Sequence, residues 1–268
     1  MKYDFQTKPN KVILYMDMLG FRNAILENDN GKEKKNELVA DFPAMERILQ
    51  DMFPDDNDGS VRFLWMSDSF MLSSDIADVN DLLWYMFEIQ HDMFISGLPV
   101  RGALCVGRLY HENNIWGEAL VRAVEIEETR SIYPRILVEE KDFVRLPISE
   151  EYQKYFKSDC ETPGYKYVEP ISYHFDRALN NAFSGSNGIW SSINVLTSHI
   201  EEQHLKASGN ESVQKKWKWL ANVFISVIRE NESSIKKALI IDQQAGMQVQ
   251  TYDECVARVH RIVQWNGV

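Results

Sequence analysis

The sequence predicts an α+β protein: a mixed β-sheet covered by helices, followed by a helical C-terminal extension. Three observations predict it. Short β-favouring runs at 12–17, 61–66, 70–73, 100–107 and 135–138 are interleaved with helical periodicities. Beyond Asp142 the pattern changes to a stretch broken by Pro147, Pro163 and Pro170, and then to amphipathic helices. Finally, 268 residues at 44% hydrophobic content can bury one sizeable core with an appended subdomain. The expected division is a core over 1–141 and an extension over 142–268, packed on the core or on a dimer.

Taken in order, residues 1–10 are polar and lead in. Val12-Ile-Leu-Tyr-Met-Asp17 is a first strand ending on a carboxylate, and a helix is expected to start near Leu19, before Asn28-Asp-Asn-Gly31 interrupts it. Leu38, Phe42, Met45, Ile48, Leu49 and Met52 recur at helical intervals, giving a helix within 32–52. Pro54-Asp-Asp-Asn-Asp-Gly59 is a turn. It is not a calcium loop, because Gly59 at the sixth place would put Pro54 first and Trp65 twelfth, and neither offers a carboxylate. Val61–Met66 and Phe70–Ser73 form a hairpin around Ser67-Asp68-Ser69. Val79, Leu82, Leu83, Met86, Phe87, Met93 and Phe94 mark an amphipathic helix that stops at Gly97-Leu-Pro99. Val100–Gly107 is a strand of small residues, Ile115 to about Arg130 is expected to be helical, and Arg135–Val138 is a further strand. Residues 142–185 are expected to be rich in loops. Ile189–His199, Trp217–Ile228 and Tyr252–Val263 read as helices, the second with Trp217, Leu220, Ala221, Phe224, Val227 and Ile228 on one stripe.

Charge and cysteine usage narrow the function. A net charge of −11 argues against a general nucleic-acid binder, so a polyanion would have to be handled at a local site of metal ions and a few cationic side chains. Cys105, Cys160 and Cys255 have no paired spacing and read as reduced thiols. The N-terminal residues lack an apolar signal core, and the longest apolar run, Leu82–Phe87, is too short to span a bilayer. A cytoplasmic location without membrane attachment is expected. The six histidines form no HExxH and no Cys/His zinc spacing, and there is no GxSxG, P-loop or GGDEF sequence.

Two carboxylates stand out. Asp17 ends a strand of large apolar residues, where an acidic side chain is costly unless a positive charge meets it. On this segment alone a helix cap explains Asp17 as well as a metal does. Asp68, about fifty residues on, sits at the tip of a hairpin. Two carboxylates at the ends of separate strands suit a pair of divalent cations, Mn²⁺ or Mg²⁺, whose remaining positions go to water and phosphate oxygens.

Asp17-Met-Leu-Gly-Phe21 resembles the first metal motif of class III nucleotidyl cyclases, and Ser67-Asp68-Ser69 resembles their second metal site on the following hairpin. Arg101-Gly-Ala, Gly107 and Asn114-Ile-Trp116-Gly117-Glu-Ala-Leu-Val-Arg122-Ala123 resemble the later strand and the Asp-x-Trp-Gly helix start. The motifs occur in the family's order and cover about residues 10–140. The resemblance implies a cyclase-like mixed sheet and a nucleotidyl cyclase. It implies that Asp17 and Asp68 each ligate both ions and that the Met18 carbonyl ligates one. It also implies that backbone N–H groups at Leu19, Gly20 and Phe21 hold the β- and γ-phosphates.

Departures from the family shift the expected substrate. The purine-reading lysine is replaced by Leu64 and its aspartate partner by Asn114, which disfavours adenine and guanine. The usual ribose-orienting Asn and transition-state Arg positions hold Val121 and Glu125, with Arg122 three residues before Glu125 on the same helix face. Arg122 is the candidate for the transition-state cation; the alternative is an ordinary surface arginine. Metal motifs kept, purine reader lost and a helical appendix present resemble the pyrimidine cyclases of bacterial Pycsar antiphage systems. There the resemblance implies conversion of UTP or CTP to cUMP or cCMP, a messenger that activates a downstream effector. It also implies a homodimer, because the carboxylates and the arginine-bearing helix come from opposite subunits and one chain holds one copy of each. The second expectation is a catalytically silent, cyclase-like module that binds nucleotide or a partner. Two carboxylates held together repel without cations, which favours the enzyme.

Overall fold

The computed structural model describes residues 9–21, 49, 53, 59–112, 114–184, 189–207 and 209–264. The helix expected within 32–52 falls almost wholly outside them, although Leu49 is helical and buried. Residues 54–58 of the expected turn also lie outside.

The chain forms two compact units, 1–168 and 169–268. In the first, strands β1 (Asn10–Met18), β2 (Val61–Met66), β3 (Ser69–Asp75), β4 (Val100–Arg108), β7 (Ile136–Glu139), β8 (Phe156–Ser158) and β9 (Tyr165–Val168) make one seven-stranded sheet. Their spatial order is β2-β3-β1-β4-β7-β9-β8, with β1 central and antiparallel to both β3 and β4. Strands β4 and β7 are parallel, so the sheet is mixed, as the α+β reading expects. Helix α1 (Val79–Ile95) follows a 3-10 turn at Ile76–Asp78, and α2 (Glu118–Thr129) lies between β4 and β7.

Helix α2 rides close on β4 because the facing residues there, Ala103, Cys105, Gly107, Ala119 and Ala123, are small. Ile13, Met71, Ala103, Cys105 and Leu137 of the sheet pack with Ala119, Ala123 and Ile126 of α2. At Gly107 a Cβ would stand 3.3 Å from the Ala119 Cβ, so a methyl there fits only if the helix gives by a few tenths of an ångström. Gly102 is tighter still. A Cβ there would lie 2.1 Å from the Tyr15 carbonyl oxygen, so β1 and β4 pair at this point only because the residue has no side chain.

Two stretches differ from the sequence reading. The helix expected from Ile115 begins at Glu118, because Ile115–Trp116 (β6) pairs with Tyr110–His111 (β5) in a small hairpin. Gly117 then turns at φ +151°, with a hypothetical Cβ 2.5 Å from the Arg108 carbonyl oxygen, a position that sheds any side chain. The loop-rich stretch 142–185 holds short helices α3 (Glu140–Phe143) and α4 (Glu150–Gln153), strands β8 and β9, and α5 (Ser172–Ser184). Residues 142–168 lie in the first unit, since β8 and β9 extend the sheet beyond β7. A buried ion pair helps to hold that edge. Arg135 reaches Asp159 at 2.7 Å, with the Tyr133 and Tyr167 rings 5.1 and 5.4 Å from its guanidinium carbon.

The second unit is helical: α5, α6 (Ile189–Lys206), α7 (Glu211–Glu230), α8 (Glu232–Gln244) and α9 (Tyr252–Gln264). The stripe Trp217, Leu220, Ala221, Phe224, Val227 and Ile228 is buried, as its spacing predicts. Helix α8 is an addition to the elements expected from the sequence. Asn210 caps α7 through the Val213 amide at 3.2 Å, and Glu169 accepts from the Ile171 and Ser172 amides at the start of α5. Arg258 of α9 ties to α6 through Glu201 at 2.7 Å, Asn194 at 2.7 Å and Ser198 at 3.0 Å. Among the described residues no helix is long and apolar enough to cross a membrane.

Candidate active site at the end of the first strand

Side chains alternate along β1, so Ile13, Tyr15 and Asp17 share the face that α2 partly covers. Asp17 is the last polar residue on that face. Its register partners are Ser69 on β3 and Arg101 on β4. The hairpin between β2 and β3 has a two-residue turn, Ser67-Asp68, with Ser67 at φ +60°, a left-handed conformation uncommon outside glycine. The Trp65 indole closes on the Ser67 carbonyl at 2.7 Å. The Met18 amide donates to the Asp68 carbonyl at 2.9 Å, which fixes the Asp68 turn beside the end of β1. The two carboxylate-bearing residues expected to act together thus lie diagonally across adjacent strands.

Positive charge reaches this end of the sheet through Arg101. Its Nε lies 3.6 Å from Asp17 Oδ2, and its Nη2 lies 2.6 Å from Glu127 Oε1. Arg101 Nη1 also donates to the Ser131 carbonyl at 3.5 Å. Tyr15, two residues before Asp17, hydrogen-bonds Ser69 Oγ at 2.9 Å. Burial, together with the charges of Asp17, Glu127 and Asp68, pushes the Tyr15 phenol above its ordinary pKa, against a lowering from the Ser69 bond. The three carboxylates Asp17, Glu127 and Asp68 thus project a negative field onto Tyr15.

That field, and the donor set, fit hard divalent cations. The Asp17 and Asp68 carboxylates and the Met18 carbonyl are oxygen ligands, the kind that Mg²⁺ and Mn²⁺ prefer. Among the described residues no group of three or more His, Cys, Asp and Glu side chains is gathered for a metal. Two carboxylates would therefore leave most coordination positions to ligand and water oxygens.

The expected phosphate cradle needs one correction. The Leu19 amide donates to the Pro99 carbonyl at 2.9 Å, so Leu19 is not one of the free N–H donors expected there. Gly20 follows at φ +89°, and among the described residues nothing lies within 4 Å of where a Cβ would stand, so it is the backbone conformation that favours glycine. Phe21 begins the next helical turn.

Leu64 lies on the edge strand β2, paired with Met71, which pairs in turn with Tyr15. Asn114 is exposed at the tip of the β5–β6 hairpin. That hairpin is pinned to the sheet by Arg62, which donates to the His111 carbonyl at 2.7 Å, and by Ser73, whose hydroxyl bonds His111 Nδ1 at 2.7 Å.

Arg122 is not brought to the carboxylates within one chain. It donates to the Val106 carbonyl at 3.2 Å, and Val106 pairs with Val12, five residues before Asp17. At ~3.4 Å per residue that is about 17 Å along the sheet. There Arg122 pairs with Glu139 and with Asp142, the latter at 2.8 Å and fully buried. Burial acts the other way, but the hydrogen bonds to Glu139 and Asp142 and the charge of Asp142 raise the Arg122 pKa, so the guanidinium stays a cation.

Arg101 and Glu127 are the site residues that sequence reading missed. Arg101 lies in a recognisable motif, but its partners are on other elements and no local spacing names them. Glu127 follows Ala119 and Ala123 at eight and four residues, which puts a carboxylate on the buried stripe of α2. That placement was the available signal.

No protein-family model matches the chain, and no curated protein matches it. Two solved structures, each described as a bacterial light-regulated adenylyl cyclase, are similar to it. One aligns at 14% identity with a TM-score of 0.38, over 60% of this chain and 90% of that one. The other aligns at 11% identity with a TM-score of 0.36, over 71% of this chain and 56% of that one. Similarity at this level assigns neither a family nor a substrate.

Proposed function

We propose that the protein is a nucleotidyl cyclase that converts UTP or CTP to the 3′,5′-cyclic monophosphate with release of pyrophosphate. The observation that carries this reading is the bond from Met18 to Asp68 beside the Asp17–Ser69 register, which sets two acidic residues at one end of neighbouring strands. Divalent cations bound there would lower the pKa of the ribose 3′-hydroxyl and neutralise charge on the leaving pyrophosphate.

The chain's own residues would do the positioning. Asp17, Asp68 and the Met18 carbonyl hold the cations. Gly20 and Phe21 line the turn where the phosphates lie, and Arg101 supplies a fixed positive charge at the same end. Leu64 and Asn114 stand where the base would be read, without the ammonium–carboxylate pair that suits a purine. Arg122 would act from a second copy of the chain, since its own carboxylates lie at the other end of the sheet. That requirement supports a homodimer with two composite sites. The cyclic product would serve as a messenger for a separate effector in antiphage defence, the role implied by the motif resemblance.

The experiment is incubation of the purified protein with Mn²⁺ and each of the four nucleoside triphosphates. Cyclic product from UTP or CTP only is expected. Product from ATP or GTP alone would overturn the base-reading argument, and no product from any would favour the second reading, a catalytically silent binding module. One observation favours that second reading: Arg122 is already engaged by Glu139 and Asp142.

A further inference from the structure

Arg122 is held at its own end of the sheet by a closed set of bonds. Its Nη1 donates to the Val106 carbonyl at 3.2 Å and its Nη2 to Asp142 Oδ2 at 2.8 Å, while the same Oδ2 accepts the Val106 amide at 3.0 Å. The guanidinium and the Asp142 carboxylate are thus tied to one residue of β4 and to each other. Nη2 also donates to Glu139. The two acids differ in surroundings. The Asp142 side chain is 1% exposed, whereas that of Glu139 is 20% exposed and is shared with Lys141 at 2.9 Å. Asp142 is therefore the less screened and less divided anchor.

These bonds do not use up the guanidinium. They take three of its five N–H donors, which leaves the Nε hydrogen and one on Nη1 for another acceptor. The Arg122 side chain is also 24% exposed. Nor do the two acids cancel the local charge. Lys141 meets Glu139, and Arg145 Nη1 stands 3.6 Å from Asp142 Oδ1, so three cations face two carboxylates.

We infer that Asp142 is a positioning residue for Arg122: it fixes the guanidinium plane so that the remaining N–H donors meet the triphosphate of a site whose carboxylates belong to a second copy of the chain. The crossover between parallel strands makes this possible. Helix α2 joins β4 to β7, and the short helix α3 after β7 returns Asp142 to Arg122. The inference rests on the reading of Arg122 as a transition-state cation supplied across a dimer.

The test is steady-state kinetics of the full chain with Mn²⁺ and UTP or CTP, beside a thermal melt of each variant. Asp142→Asn keeps the shape of the side chain and an acceptor for the Val106 amide, and it removes the charge. It should lower kcat about thirtyfold and change KM less than about twofold, the pattern of a misplaced group that acts in the transition state. The Asp142→Asn/Arg122→Ala double variant should be no slower than Arg122→Ala, because Asp142 acts only through that arginine. Mixing separates this from a structural role. Asp142→Asn chains still carry intact Asp17 and Asp68, so with Asp68→Ala chains they should rise to about a quarter of wild-type activity, and with Arg122→Ala chains they should not rise. An aspartate that merely holds the sheet together would spoil the carboxylate end as well, and the Asp68→Ala mixture would not rise; that result, or a change in KM alone, overturns the inference. Should Asp142→Asn fail to fold, Arg122→Lys decides. It keeps the charge, but its three donors would go to Val106, Glu139 and Asp142, so it should be about as slow as Arg122→Ala. Wild-type kcat in Arg122→Lys overturns the inference. Turnover lost in Arg122→Ala but kept in Asp142→Asn sinks this inference alone. Turnover kept in Arg122→Ala, or absent from the wild type, sinks the reading of Arg122 with it.

Discussion

The Met18 amide donates to the Asp68 carbonyl at 2.9 Å, and this one bond ties the tip of a hairpin to the end of a strand fifty residues earlier. It brings Asp68 next to Asp17 through backbone alone. Substitution of either aspartate side chain should therefore leave the local chain path in place.

Asp17→Ala and Asp68→Ala are expected to fold and to lose turnover by roughly a thousandfold or more, the several kcal/mol that metal stabilisation supplies. Steady-state rates with Mn²⁺ and UTP or CTP, beside a thermal melt of each variant, check this. Retained activity in either folded variant removes the two-cation proposal.

Arg122 and Asp17 lie at opposite ends of the β1–β4 ladder. If sites form between chains, mixing Asp68→Ala with Arg122→Ala protein should restore one intact site in each heterodimer. Random assortment gives about a quarter of wild-type specific activity. Each variant alone should be inactive, and a mixture that stays inactive counts against a shared site or against Arg122.

Gly102 and Gly20 should respond differently to alanine. At Gly102 the new methyl would meet the Tyr15 carbonyl, and parting β1 from β4 should cost about 2–4 kcal/mol. At Gly20 nothing among the described residues lies within 4 Å of the new methyl, so the expected cost is that of holding alanine at φ +89°, about 1–2 kcal/mol. Urea denaturation of both variants gives the comparison; equal losses would mean that contact with the Tyr15 carbonyl is not what Gly102 avoids.

Burial, with help from the charges of Arg62 and Lys11, lowers the His111 pKa to about 4. An unfolded histidine takes up its proton near pH 6.5. Between those values the unfolded chain binds more protons than the folded one, so stability should fall as pH drops from about 6.5 towards 4. Urea midpoints at pH 7 and pH 5 should differ more in the wild type than in His111→Gln. An equal pH dependence in the two would show that another group is responsible.

The strands around the site were legible because their periodicity is local. Val12–Asp17, Val61–Met66 and Val100–Gly107 each came within two residues of the observed strand ends. The β5–β6 hairpin was not legible, since two-residue strands have no period to read and Gly117 alone marks their end. Strands β8 and β9 escaped for a similar reason, their short runs being set among Cys160, Pro163 and Gly164. Local reading leaves the Leu19 amide open for phosphate because its partner, the Pro99 carbonyl, is eighty residues away.

By itself the sequence determined that Asp17 ends a buried strand and Asp68 turns a hairpin, because each follows from the residues beside it. Only the tertiary structure decided that β3 pairs with β1, that Arg101 and Glu127 join Asp17, and that Arg122 does not. Those facts follow from strand register and from where a helix settles on a sheet. Both are fixed by packing between distant segments, which no local pattern encodes.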